Sequence, residues 1–470
     1  MSASGEEGVV RIGSGQGFWG DDEEAPMRQV EGGPLDFLVM DYLAEVTMSI
    51  MQKQRERDPA AGYALDFPRV LRRLLPKCVR PGSDGNTVRI VTNAGGVNPR
   101  ACGEAAMGAA RAEGLADAVK IGVVTGDDLL NRLDDLLQEG HEFRHTEDGR
   151  PLEDVRDRVT SANAYIGAEP LVRALAAGAN VVIAGRATDT ALTYAPMMHA
   201  FGWAGGDLDR VAQGVVAGHL NECGAQASGG NVLADWWSIP GLERIGYPII
   251  EASSDGSFVV TKHEGTGGRI DRASVTEQLL YELGDPANYL TPDVVADLTD
   301  VELEEVGENR IRVTGARGRP RTDSLKVSIA YRDGYRAEGT LVYAWPDAAR
   351  KARAAERILR QRLDLLGLRF DEVRAELVGW DATHGHLAGP PPPDLPEVQL
   401  RVAVRGQRRE DVDRFTREIA PLVLAGPPSV TGFAGGRPRT REVMAFWPAL
   451  VPRQVVESQL KVEVLDATDR

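Results

Sequence analysis

The strongest constraint on the fold is a pattern repeated along the first half of the chain. Short β-branched runs stop in polar or glycine-containing turns, and helical spacing follows. The runs are VVRIGSG (Val9 to Gly15), VRIVTNAGG (Val88 to Gly96), VKIGVVTGDD (Val119 to Asp128) and NVVIAGRATD (Asn180 to Asp189). This alternation predicts βα units, hence an α/β fold with a largely parallel sheet and flanking helices. EPLVRALAAGA supplies one crossover helix, with Leu171 and Leu175 at helical spacing and Gly178 as its stop. In open sheets of this kind ligands bind beyond the carboxyl ends of the strands, so the polar residues after these runs are the first candidates for chemistry.

The pattern changes after about residue 240. In GYPIIEASSDGSFVV two extended runs flank Asp255-Gly256, which predicts a β-hairpin. Ser274 and Glu277 have the spacing of a capping box and predict a helix start. From Lys326 onward KVSIAY, GTLVYAW, AELVGW and EVQLRVAVRG read as strands, separated by a long Ala/Arg helix and the stiff GPPPPDLP connector. A further helix is expected near EDVDRFTREIAPLVL. The expected organisation is an α/β core over 8–240, a hairpin and glycine-loop connecting region over 241–325, and a C-terminal α+β region over 326–470. The last has the element order of a split βαβ, ferredoxin-like arrangement.

Composition narrows the function classes. A net charge of -16 opposes binding to a phosphate backbone, and RQRLDLLGLRF and RGQRRED are interrupted by acids and carry no aromatic platform. No nucleic-acid partner is expected. No run approaches the roughly 18 apolar residues of a membrane helix, and MSASGEEGVV lacks the features of a secretory signal, so the expectation is a cytoplasmic protein without a membrane partner. Cys78, Cys102 and Cys223 stand apart without CxxC spacing, which argues against a disulfide framework or a cysteine-rich zinc site.

GSGQGFWGDD contains G-x-G-x-x-G at Gly15, Gly17 and Gly20. A dinucleotide site needs the third glycine to lead straight into a helix. Here Phe18 and Trp19 occupy the loop, Asp21 to Glu24 are acidic, and Pro26 interrupts any early helix. Gly15 and Gly17 therefore either let backbone approach some other ligand or form a structural turn.

Other clusters carry more chemistry. In TNAGG, Asn93 follows a strand and Gly95-Gly96 offers amides for a carboxylate or oxyanion, or simply a tight turn. In AGRATDT, Arg186 offers a bidentate fork, Asp189 can orient it or act as a base, and Thr190 adds a hydroxyl; a structural Arg-Asp pair is the alternative. If VAQGVVAGHLNECG is helical, His219 and Glu222 share a face, suited to proton transfer, metal ligation or structural hydrogen bonding, with Gln226 close behind. Lys262, Thr266, Gly267 and Gly268 form a loop able to grip an anion but lack the P-loop pattern. Asp381, His384 and His386 form one more cluster, with loop histidines at the surface as its plainer explanation.

The motifs GQGFWGD, LVMDYLAEVTMSIM, TNAGGVNP, GAEPLVRALAAGANVVIAGRATDTAL, GHLNECGAQASGGN, GYPIIEASSDGSFVVTKHEGTGG and EQLLYELGDPANYLTPDV, in this order, resemble the acyclic terpene utilisation (AtuA-type) family. The resemblance runs from Ile12 to Val451. It implies a place in the catabolism of terpenoid acids handled as coenzyme A thioesters, and carries over no catalytic residues. Some relatives have an appended ferredoxin-like domain, which is not assigned separately here. The expected function is a lyase or hydratase acting on a branched-chain or terpenoid acid, as its thioester. His219, Glu222 and Asp189 are the catalytic candidates, with Gly15, Gly17, Asn93, Gly95, Gly96, Arg186, Thr190, Gln226, Lys262, Thr266, Gly267 and Gly268 binding the substrate. A metal-assisted hydrolase or lyase and a non-enzymatic acyl-binding or assembly protein are the alternatives. No cofactor beyond the substrate's own coenzyme A, no resident metal, and a homo-oligomeric state are expected.

Overall fold

The computed structural model describes residues 8–79, 87–432 and 436–468. The reading of the opening residues, Met1 to Glu7, lies outside them. The chain forms two compact units: one comprises the residues up to Ala330 together with those from Phe446 onward, and the other spans Tyr331–Ala445. This differs from the three consecutive regions expected. The residues placed in a connecting region belong with the first unit, and so does the C-terminal stretch.

In the first unit the strands are β1 Val10–Gln16, β2 Phe37–Met40, β3 Arg89–Thr92, β4 Ile121–Thr125, β5 Val159–Ala164, β6 Val181–Ile183, β7 Ile249–Ala252 and β8 Phe258–Thr261, then β9 Tyr289–Leu290, β10 Val295–Asp297, β11 Glu302–Gly307, β12 Arg310–Thr314 and β13 Arg317–Arg319. The helices are α1 Ala25–Gly32, α2 Glu45–Arg57, α3 Phe67–Cys78, α4 Pro99–Ala112, α5 Leu133–Gln138, α6 Glu169–Ala176, α7 Ala191–Phe201, α8 Leu208–Glu222 and α9 Arg272–Leu280. Strand β14 (Ser324–Ala344) begins in this unit and ends in the other.

Every predicted βα run in the first half is a strand of one ten-stranded sheet. Its centre, β1-β2-β3-β6-β4, is parallel throughout. Leu38, Ile90 and Ile183 pack with Leu71 and Leu74 of α3 and Ala106 of α4. Val39, Val91 and Val182, one residue out of phase, are buried as well, so both faces of the centre are covered, as a parallel sheet requires.

The expectation of a largely parallel sheet holds only at that centre. The hairpin β7-β8 joins β1 antiparallel and continues through β12 to β11, while at the other edge β19 (Lys461–Leu465) pairs antiparallel with β4. The sheet is mixed because hairpin-linked strands extend it where no crossover helix intervenes. Strands β9, β10 and β13 form a separate small sheet.

Two boundaries also differ from the sequence reading. Helix α9 is capped by Asp271, whose side chain accepts from the Ser274 amide at 2.9 Å; Glu277 instead accepts from the amides of Leu233 and Ala234. KVSIAY and GTLVYAW, read as two strands, belong to one, β14, which runs on through Gly334 at a positive φ of 81°.

The second unit continues β14 and adds α10 Ala348–Leu365, β15 Glu372–Val378, β16 Glu397–Gly406, α11 Arg409–Phe415, α12 Leu422–Ala425 and β17 Val430–Thr431, followed by the start of β18 (Arg441–Pro452). Its antiparallel strands lie in the order β15-β16-β14-β17. One face packs Leu341, Tyr343 and Leu400 against Ala352, Ala355 and Leu359 of α10. This is an α+β layer; no ferredoxin-like identity is assigned on strand order alone. In the first unit, α13 (Arg453–Glu457) leads from β18 to β19.

Candidate active site

The parallel strands deliver their polar residues where the fold rule expects them. Asp41 follows β2, Asn93 follows β3, Asp127 follows β4, and Arg186 and Asp189 lie between β6 and α7. Asn93 is fully buried and joins two of these ends: its amide donates to Asp41 at 2.7 Å, and its oxygen accepts from the Tyr42 amide at 2.7 Å. Asp127 accepts from the Arg186 backbone amide and from Asn163, both at 2.9 Å. A Cβ on Gly185 would stand 2.5 Å from the Asp127 carboxylate, so glycine is required for this loop to close.

Arg186 is the most demanding side chain of the site. It is buried to 1% exposure, donates Nη2 to Asp189 at 2.7 Å, and lies with Cζ 4.3 Å from the centre of the Tyr165 ring. Its Nε and Nη1 have no hydrogen-bond partner among the described residues. A buried cation with free donors is costly, and such groups mark places where a ligand supplies the missing acceptors. Lys326 approaches the same ring at 4.6 Å, and the Tyr165 hydroxyl donates to Glu45 at 2.5 Å.

The surrounding carboxyl groups divide by environment. Burial pushes Asp189 well above the usual carboxylate range; Arg186 opposes this, while the charges of Asp41, Glu222 and Glu45 add to it. Burial lifts Asp41 to about 6 against Arg186 and the hydrogen bond from Asn93, and lifts Asp127 to about 6 as well. For Glu45 burial also works upward, but the Tyr165 hydrogen bond and the charges of Lys326 and Arg186 outweigh it and hold the group at about 2. A carboxyl shifted upward thus stands near one held low, the kind of separation that acid–base chemistry uses.

Of these carboxyl groups Glu45 and Asp189 line a cavity of about 520 Å³, while Asp41 and Asp127 lie behind it. Glu45, Tyr165, Arg186, Asp189, Glu282, Tyr289 and Lys326 are among its polar lining, with several threonines, and Leu290, Pro292, Leu325, Pro448 and Leu450 form its apolar wall. All belong to the first unit. Cavities of this size, with polar groups converging beside an apolar wall, suit a small organic ligand.

The other expected residues fall into different roles. His219 is buried on α8, with Nδ1 3.1 Å from Glu222 and Nε2 3.1 Å from the Leu279 carbonyl. Burial lowers its pKa, but the hydrogen bond and charge of Glu222 outweigh that and raise it. Both ring nitrogens are therefore engaged inside the protein, and neither faces the cavity. Glu222 keeps one buried oxygen without a partner among the described residues, and its charge acts on Asp41 and Asp189. The buried Thr190 hydroxyl likewise has no partner among them.

The glycine loops are committed to the fold. The Gly95 amide donates to the Ala184 carbonyl and that of Gly96 to the Asn93 carbonyl. A Cβ on Gly96 would strike Met51. The Gly267 and Gly268 amides donate to the carbonyls of Arg244 and Pro240. Their value as oxyanion donors disappears once these acceptors are in place. Lys262 donates to the Thr266 carbonyl at 3.0 Å and lines a separate cavity with Thr266 and Gly268, sharing no residue with the Arg186 cavity.

Gly15 lies inside β1 against Leu38 and Met40, and Gly17 lies against the Cys223-Gly224 turn and donates to Asp21 at 2.9 Å. The loop after them reaches α1 only at Ala25, with Pro26 in that helix's first turn, where its missing N–H does no harm. Gln226 lies in the turn after α8, with Asn231 at the hydrogen-bond limit of 3.5 Å. His384 and His386 lie in the second unit, where Asp381 pairs with Arg353.

Sequence reasoning missed Glu45, Tyr165, Asp127, Tyr289 and Lys326. Asp127 sits in the GDD that ends a predicted strand, a position the carboxyl-end rule already marks. Glu45 and Tyr165 are separated by 120 residues and meet only in the fold.

Among the described residues no three His, Cys, Asp or Glu side chains stand together so as to hold a metal ion, and no helix is long and apolar enough to cross a membrane. The family model described as "Acyclic terpene utilisation family protein AtuA" matches residues 10–462. No curated protein and no solved structure matches the chain.

Proposed function

Because the chain belongs to the acyclic terpene utilisation (AtuA) family, we propose that the Arg186 cavity binds a branched-chain or terpenoid carboxylic acid as its coenzyme A thioester and carries out lyase or hydratase chemistry by acid–base catalysis. The observation that carries this reading is Arg186 itself, a buried guanidinium with two donor nitrogens unspent, beside a carboxyl that resists ionisation. The apolar wall of Leu290, Leu325 and Leu450 suits a hydrocarbon chain.

In the dehydration direction, the ionised fraction of Asp189 removes the proton from the carbon next to the thioester carbonyl. The electron pair moves onto the carbonyl oxygen, and the free N–H groups of Arg186 donate to the oxyanion as it forms. As the pair returns, the β-hydroxyl departs, the carbon–carbon double bond forms, and Asp189 gives its proton to the departing oxygen to make water. Hydration is the reverse. A carboxyl raised above its usual range is a stronger base when ionised and a ready donor when not. Glu45 stays anionic and holds the Tyr165 hydroxyl and Lys326, which fixes the ring on which Arg186 rests. Proton transfer falls to Asp189 rather than His219, whose nitrogens are both occupied; His219 positions Glu222.

The test is turnover on a panel of 2,3-unsaturated and 3-hydroxy branched acyl thioesters. The native protein should turn over at least one, and Asp189→Asn should lower that rate by roughly 100-fold or more. The variant should remain folded by circular dichroism, since the asparagine amide oxygen can still accept from Arg186 Nη2. Tight binding of these thioesters without turnover of any would remove the enzymatic reading.

A further inference from the structure

The second unit carries its own cavity, of about 480 Å³, lined by Arg336, Glu338, Thr340, Arg437, Arg439 and Arg441 among others. Arg336, Glu338 and Thr340 alternate along β14 and so share one sheet face, while Ala337, Leu341 and Tyr343 supply the core on the other. That periodicity explains why charged side chains converge here instead of being buried under α10.

What marks the cavity is that four arginines without a carboxylate partner converge on it. Other arginines of this unit meet carboxylates: Arg353 with Glu356, Arg362 and Arg414 with Glu418, and Arg401 with Glu376. Arg336, Arg437, Arg439 and Arg441 form no side-chain hydrogen bond or ion pair with any of the described residues. Among the described residues Glu338 is the one carboxylate lining the cavity, and its charge also acts on Arg401. Four guanidinium groups thus share one concave site, almost uncompensated, on a chain whose net charge is -16. Like charges gathered this way repel one another until an anion joins them.

We propose that this cavity binds a small organic phosphate of nucleotide size carrying at least two phosphate charges. A single carboxylate neutralises one arginine and offers two oxygens. A phosphate offers three acceptor oxygens and up to two charges, and the planar guanidinium fork matches it with paired hydrogen bonds. The volume lies in the range of small-molecule sites. The proposal stands independently of the acid–base reading in the first unit.

Calorimetry on the intact protein with pyrophosphate, ADP and coenzyme A as probes tests it. At least one probe should bind, with an affinity that falls as salt is added. The double variant Arg437→Gln/Arg439→Gln should weaken binding by roughly 10-fold or more, the scale of losing charge-assisted hydrogen bonds. Both residues are exposed and unpaired, so an unchanged circular dichroism spectrum is expected. Tighter binding of coenzyme A than of ADP would identify the nucleotide end of a thioester as the source, and equal binding a free nucleotide; either supports the site. Failure of all three probes at about 1 mM, equal affinity in the double variant, or binding confined to long RNA overturns it. Because the readout is binding, loss of the proposed turnover would leave this result standing.

Discussion

The loop after β6 and the loop after β8 read alike as sequences: AGRATDT and TKHEGTGG each follow a strand with a cation, threonines and glycine. They differ in how their polar atoms are used. In the second, the Lys262 ammonium reaches the Thr266 carbonyl and the Gly267 and Gly268 amides meet carbonyls of the Pro240–Arg244 turn, so the loop's hydrogen bonds hold the loop itself. In the first, Asp127 pins the backbone, and the Arg186 side chain reaches the cavity with two nitrogens to spare. The loop proposed to bind is the one whose donors its own fold leaves unspent.

The sharpest attack on this contrast is Arg186→Lys. Lysine keeps the charge but loses the planar fork and its contact with Tyr165, so turnover should fall about 100-fold, the scale of losing an oxyanion donor. An equal fall in melting temperature and in activity would make Arg186 a structural partner of Asp189 and remove the contrast.

His219→Gln should act in between, lowering turnover by no more than about tenfold because the histidine acts through Glu222. Its larger effect should be on stability. The folded pKa of His219 is raised, so its stabilising contribution is full below the unfolded value near 6.5 and disappears as pH rises through the folded value. Melting curves of the variant should therefore fall furthest below the native protein in mildly acidic solution and converge with it at alkaline pH. A loss of about 100-fold in turnover at unchanged melting temperature would return proton transfer to this histidine.

The mildest outcome is expected from Lys262→Ala, which should change turnover by less than about threefold, since its ammonium closes its own loop. A tenfold rise in KM would instead join the two cavities in one function.

The strand ends that build the site were legible because β-branched runs with polar termini leave little else for the chain to do, and Arg186 and Asp189 stood at such an end. The sheet's antiparallel flanks were less legible, because a hairpin such as β7-β8 specifies its own pairing but not the edge to which it attaches. The role of His219 was hidden for a related reason. Helical spacing brings it to Glu222, but the Leu279 carbonyl that occupies its other nitrogen comes from α9, 60 residues away. Glu45 and Tyr165 carry no local signal, since their meaning lies in a contact between distant segments.

The return of the chain to β4 bears on how the molecule is made. Strand β19 closes that edge only after the whole second unit has been synthesised, and Gln459 reaches back across 333 positions to the Gly126 carbonyl. On the ribosome, β4 therefore waits with an open row of amides and carbonyls while the intervening polypeptide emerges, the exposure that invites pairing with other nascent chains. Chaperone demand during synthesis should track the delivery of those last strand residues more closely than the stability of the finished core.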